Sequence, residues 1–256
     1  MSQDITSILA GWDFDAGVLQ VRIVAGDDGK DKIQMRIDLG VLQMELSGRP
    51  DGQRPHGFES LLDYLESRAQ AAAGSGQEFS LDHDVCASLM REGLQYYHRY
   101  LSAFHLQRFD LVARDTDRNL RLFAFVVKYA ARQRDKLEFD RYRPYVIMMG
   151  TRARAMLSLA QRDFPQALEQ IDEGIRRIRQ FLVEYQQQDR EAECSELAFL
   201  VRWRREVEQD RPTGPVERLE QQLELAVSLE NYEEAARLRD QIRQLRVSPI
   251  GEGQRS

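Results

Sequence analysis

Apolar residues in this chain recur at every second position only before residue 47, and at every third or fourth position almost everywhere after residue 58. Periods near 2 and 3.6 belong to strand and helix, so this one switch restricts the fold to a small β element followed by a long helical stretch. From Trp12 to about Pro55 the residues have strand chemistry. Val18, Leu19, Val21, Ile23 and Val24 form an apolar run, Ala25 to Asp31 supplies turn residues, and Ile33, Met35, Ile37 and Leu39 then alternate with Gln34, Arg36 and Asp38. The pattern predicts a β-hairpin with one buried face. Beyond Gly40 the apolar positions move to Leu42, Met44 and Leu46, which predicts a bulge at the glycine or a break into a new strand. A Gly/Pro loop from Ser47 to Pro55 leads to Phe58, Leu61, Leu62 and Leu65 at helical spacing. Residues 1–70 are therefore expected to form a small α+β domain, a sheet covered by one helix.

Ala71 to Gly76 carries small residues without periodicity and predicts a linker over 71–79. Residues 80–210 hold several helix-length patterns with few breakers. Two stretches look alike, Leu106 to Ala113 and Ala160 to Ala167, with Phe109 and Phe164 aligned. In each a helix ends, turns at a polar pair and is followed by another; Asp163 is placed as an N-cap and Pro165 near the first helical position. The stretch from Ala155 to Ile178 resembles a tetratricopeptide repeat, with small Ala155, Ala167 and Gly174 where such helix pairs pack closely and bulky Ile171 between the last two. The resemblance implies a helical-repeat-like bundle. Arg211-Pro-Thr-Gly-Pro215 cannot continue a helix, so 211–215 reads as a second linker and a separate module follows.

In that module Val216, Leu219, Leu223 and Ala226 recur at steps of three, four and three, as do Ala235, Leu238, Ile242 and Leu245 beyond Leu229-Glu-Asn231. Two matched apolar seams joined by a short turn predict an antiparallel helical hairpin over 216–246, with a disordered tail over 247–256. Asn231 is a good N-cap, and Glu234 stands where its side chain can reach back to the cap's amide. Asn-Tyr-Glu-Glu-Ala-Ala-Arg-Leu-Arg-Asp-Gln-Ile, residues 231–242, closely resembles the UVR (UvrB/UvrC) motif, fitting its aromatic-Glu-x-Ala-Ala-x-x-Arg-Asp-x-Ile core. The resemblance implies a protein-protein element of the kind that links UvrB to UvrC in excision repair and that also occurs in adaptors and subunits of Clp-type unfoldase machines. Some of those adaptors carry cysteine-rich zinc modules, for which this sequence has no counterpart. A two-helix hairpin buries only its seam, which leaves Leu225, Leu229 and Tyr232 outside it and Glu233, Arg237 and Asp240 on the solvent side. Apolar side chains ringed by charge suit a partner helix. The plainer reading is that Glu233 and Arg237 form an ordinary i,i+4 pair while the leucines pack back on the bundle.

The remaining signals point away from catalysis. Cys86 and Cys194 lack CxxC spacing, so neither a structural disulfide nor a zinc site is expected. His98 and His105, seven apart, lack a third ligand at a suitable spacing. Gly26-Asp-Asp-Gly29 lacks the pattern of a phosphate loop, and Asp13, Asp15 and Asp38 read as solvated turn and strand residues. Arg176, Arg177 and Arg179, and Arg202, Arg204 and Arg205, sit among acidic neighbours and read as ion-paired surface. The net charge is −6 and the pI about 5.4, which opposes direct nucleic-acid binding. No apolar run reaches membrane-spanning length, and Met-Ser-Gln-Asp-Ile-Thr at the start lacks the features of a signal peptide. The expectation is an α+β, mostly α, non-enzymatic and cytoplasmic adaptor of bacterial type. It needs no cofactor and no metal, and docks its UVR hairpin on a Clp-type ATPase or, alternatively, a UvrB/UvrC-like repair protein. Self-association through the hairpin and an enzyme housed in the N-terminal domain are the other readings.

Overall fold

A computed structural model describes residues 4–212 and 215–247. Of the expected linker, Thr213 and Gly214 lie outside the described residues, as does the expected tail from Ser248 onward. The chain forms two compact units, Met1–Glu206 and Val207–Ser256.

The first unit opens with the short helix α1 (Thr6–Leu9) and a three-stranded antiparallel sheet, β1 (Val21–Ala25), β2 (Asp31–Ile37) and β3 (Gly40–Glu45), in that order. The register sets Ile33 between Ile23 and Met44, and Met35 between Val21 and Leu42. Gly40 pairs with Ile37 across Asp38 and Leu39. The shift of apolar parity is thus a two-residue reversal into a new strand, and not a bulge. The expectation of a single buried face needs correcting at the central strand. Ile33 and Met35 are buried, and so are Lys32 and Gln34 on the opposite face. That face is closed by its own polar side chains. Lys32 Nζ binds Asp28 at 2.8 Å and Glu45 at 2.5 Å, and Gln34 accepts from Arg22 at 2.8 Å and donates to Gln43 at 2.8 Å.

The helix α2 (Leu61–Gly74) is capped by Ser60, whose Oγ accepts from Asp63 N at 3.2 Å. It runs on through Ala71–Ala73, where a linker was expected: alanine is the strongest helix former, and with Ala69 buried there is no reason for the helix to stop earlier. Its apolar side does not cover the sheet. Leu62, Leu65 and Ala69 join one core with Leu89, Leu122, Phe123 and Val126. These come from α3 (His83–His105) and α4 (Phe109–Tyr129).

The sheet is held instead by α3. Arg99 donates to the carbonyls of Glu45 at 2.9 Å and Gly48 at 2.8 Å. Its other nitrogens bind Asp115 of α4 at 2.7 and 2.9 Å, with both side chains 1% exposed. Glu92, also buried, accepts from the free amides of Leu61 (2.8 Å) and Leu62 (3.1 Å) at the start of α2 and from Arg118. Buried charges of this kind are tolerated only when paired and hydrogen-bonded, and here each one is.

The unit continues with α5 (Gln133–Asp140), α6 (Arg143–Ala160), α7 (Phe164–Glu184) and α8 (Ser195–Asp210), which crosses into the second unit. Asp163 caps α7 by accepting from Gln166 N at 3.0 Å, with Pro165 in the first turn. The helices α6 and α7 approach closely because Gly174 faces Thr151: a Cβ on Gly174 would lie 2.3 Å from Thr151 Oγ1. Ala155, Ala167 and Ile171 are fully buried in the same packing. The look-alike stretches share one turn. Gln107 and Arg162 both adopt positive φ, 58° and 60°. In each the next amide returns to a small buried residue, Arg108 N to Ala103 O at 2.8 Å and Asp163 N to Ser158 O at 2.9 Å. This is the Schellman closure, which satisfies the last carbonyls of the preceding helix. Since α5 stands between the two helix pairs, they do not follow one another directly.

Candidate functional site

The second unit holds α9 (Pro215–Ser228) and α10 (Tyr232–Val247), packed as an antiparallel pair. Its turn repeats the closure of the first unit. Glu230 has φ 56°, its amide donates to Val227 O at 3.0 Å, and Asn231 N donates to Ala226 O at 2.8 Å. Asn231 then caps α10, its Oδ1 accepting from Glu234 N at 3.3 Å. The expected return of the Glu234 side chain to the cap's amide does not occur. That amide is already spent on Ala226, and the Glu234 carboxylate pairs with Arg237 at 3.1 Å. For the same reason Arg237 pairs with Glu234 and not, as the i,i+4 spacing suggested, with Glu233.

Ala226, Ala235 and Leu238 form the core of the seam, with Leu219 and Leu223 packed against them, and Ile242 is buried further along α10. The side chains of Val216 and Leu245, the outermost seam positions read from sequence, lie outside the described residues. Small Ala226 and Ala235 face each other next to the turn, which lets the two backbones approach.

The six candidate docking residues are all exposed. Leu225 is 59% accessible, Leu229 69% and Tyr232 68%, and Val227, which periodicity did not single out, is 51% accessible. At 100° per residue, Leu225 falls on one flank of α9 and Val227 on the other, and Leu229 stands in the turn just past the end of the helix. Glu233, Arg237 and Asp240, at i, i+4 and i+7, share the stripe of α10 that points away from the seam, while Tyr232 sits about a quarter turn from it. The apolar members therefore gather at the closed end of the hairpin, and the charged members run along the outer side of α10. Asp240 pairs at 3.5 Å with Arg239, which lies on the flank between that stripe and the seam. Large apolar side chains more than half exposed in so short a stretch are the part of this unit that its own packing does not explain.

Elsewhere the candidate chemistry dissolves into structure. The cysteines are free; Cys86 is buried, and desolvation raises its pKa to about 11. His98 is half-buried and held below its ordinary pKa by desolvation, whereas His105 is exposed at the end of α3. Asp13, Asp15 and Asp38 are exposed, with Asp15 accepting from Gly17 N at 2.8 Å in a turn. Four of the six arginines in the basic clusters are ion-paired: Arg176 to Glu173 (2.7 Å), Arg179 to Glu191 (2.9 Å), Arg202 to Glu206 (3.6 Å) and Arg204 to Asp172 (2.7 Å). Among the described residues, no group of His, Cys, Asp or Glu is arranged to hold a metal ion, and no helix is long and apolar enough to cross a membrane.

The family model of the UvrB/uvrC motif matches residues 214–248, the span of α9 and α10. Curated proteins gave no match to the chain, and neither did solved structures. The hairpin is thus a UvrB/UvrC-type interaction module.

Proposed function

We propose that this chain is a non-enzymatic, cytoplasmic adaptor whose C-terminal hairpin docks on a protein partner, and that the partner is a Clp-type unfoldase. The observation that carries the reading is the combination of a UvrB/uvrC motif over 214–248 with Leu225, Leu229 and Tyr232 exposed at the closed end of the same hairpin. An apolar end bordered by Glu233, Arg237 and Asp240 suits a partner helix, whose apolar face would cover the leucines and tyrosine while its charges meet the outer stripe. The unfoldase as partner rests on the occurrence of such hairpins in adaptors of those machines. The name of the motif favours a second reading, an accessory factor that docks on UvrB or UvrC.

The test is a surface binding measurement with the full chain immobilised and purified Clp-type ATPase, UvrB and UvrC flowed over it in turn. Saturable binding of the ATPase alone supports the first reading, and binding of UvrB or UvrC alone supports the second. If none of the three binds, both readings fail.

A further inference from the structure

The first unit contains a cavity of about 460 Å³ with Phe104, Phe109, Arg152, Met156, Phe199 and Trp203 in its lining. It lies where the turn between α3 and α4 meets α6 and α8. Its apolar lining is half-buried, as expected of a small-ligand pocket. Arg152 makes it unusual. The guanidinium lies over two rings, its Cζ 4.3 Å from the Phe104 centroid and 4.6 Å from that of Phe199. Among the described residues its one hydrogen bond is to Met149 Sδ at 3.8 Å. Among the described residues no carboxylate pairs with it. Its neighbours differ: Arg154 pairs with Asp117, Arg143 with Asp140 and Glu184, and Arg204 with Asp172.

A guanidinium carries five donors in its plane. The edge of that plane is the part that binds a carboxylate in bidentate fashion, and here the only acceptor on it among the described residues is Met149 Sδ. Taking the cation half out of water disfavours its charged form, a cost that no carboxylate among the described residues offsets. An incoming anion would supply the missing partner in an environment where the pairing is stronger than in water. The aromatic and thioether lining calls for an apolar body attached to that anion. At the rim His105 and Gln107 are exposed and offer hydrogen bonds to a main-chain amide.

We propose that this cavity binds the free C-terminal residue of a polypeptide that ends in a bulky apolar side chain. The terminal carboxylate pairs with the edge of Arg152, the side chain enters among Phe109, Met156 and Trp203, and the rim holds the preceding amide. The proposal is independent of the hairpin, which lies in the other unit.

Trp203 provides the readout, because the chain has two tryptophans and Trp12→Phe leaves Trp203 as the single indole. The full chain with that substitution is titrated with a hexapeptide ending in phenylalanine, with the same peptide amidated at its C-terminus, with one ending in serine, and with N-acetylphenylalanine. The expected result is a saturable change in Trp203 fluorescence for the phenylalanine acid. Affinity should be about tenfold or more weaker for the amide and for the serine peptide. Arg152→Gln should abolish the preference for acid over amide. The acid-amide comparison with Arg152 intact decides the matter even if that variant does not fold. Equal binding of acid and amide, or no saturable change, overturns the proposal. So does N-acetylphenylalanine binding as tightly as the peptide, which would make this a site for small acids.

Discussion

The amide of Asn231 donates to the carbonyl of Ala226 at 2.8 Å, closing the hairpin with the same bond that joins Arg108 to Ala103 and Asp163 to Ser158. Each closure forces the residue before the donor into the left-handed region, and in none of the three is that residue glycine. A side chain there costs about 1 kcal/mol relative to glycine. Glu230→Gly should therefore stabilise the hairpin by about that amount, slowing amide exchange in α9 and α10 about fivefold. Faster exchange would mean that the Glu230 side chain contributes a contact outweighing the strain.

Arg99 and Asp115 bind the sheet to the bundle through a buried two-pronged pair. Asp115→Ala leaves Arg99 buried with its charge uncompensated and also removes a partner of Arg114, 2.9 Å away. The expected loss is roughly 3–5 kcal/mol by urea denaturation. Replacing an exposed carboxylate such as Asp110, which pairs with Arg108 at the surface, should cost less than about 1 kcal/mol.

The close approach of α6 and α7 makes Gly174→Ala a sensitive probe. The added methyl would collide with Thr151, a side chain that is itself buried. Overpacking of this kind costs about 1–3 kcal/mol, read as a lower thermal midpoint. Pairing the change with Thr151→Ser, which removes Thr151 Cγ2 from the collision, should recover part of the loss.

Much of this architecture is legible in the sequence, and what is not has a common cause. The strand alternation around Ile33 and Met35, the Asp163 cap and the seam of the hairpin follow from local spacing, because each is decided within one or two turns of chain. Arg99 and Asp115 are 16 residues apart on two helices, and nothing in either neighbourhood marks them as partners. Arg152 escapes notice for the same reason, since its partners Phe104 and Phe199 come from helices distant in sequence. At Ala71–Ala73 the small residues fit a linker as well as a helix, and the capped, buried start of α2 decides between them. On the hairpin, the six docking candidates follow from the seam by exclusion. The pairing of Arg237 with Glu234 does not, because it depends on which backbone amide the turn has already used.

Ala235→Glu distinguishes the seam from the outer surface. Ala235 is buried against Ala226 and Leu238, so a long carboxylate there must be buried unpaired or force the helices apart. The cost is several kcal/mol, more than a two-helix module holds in reserve. Circular dichroism of the full chain should show helix lost, with amide exchange placing the loss in α9 and α10. Full retention of helix would mean that the seam is not what holds the hairpin together.

The proposed docking surface is the exposed closed end of the hairpin together with its outer charged stripe. The most direct test is the affinity of the full chain for whichever partner binds it in the surface measurement, compared among the unsubstituted protein, Leu229→Ala, Tyr232→Ala and Arg237→Glu. All three side chains are exposed, so each variant should keep its circular dichroism spectrum unchanged. Leu229→Ala and Tyr232→Ala should each weaken binding about tenfold or more, as apolar anchors at the centre of an interface do. Arg237→Glu should weaken it less and mainly slow association. Binding as tight as that of the unsubstituted chain in all three variants would contradict the claim, and would leave the hairpin as a packing or self-association element.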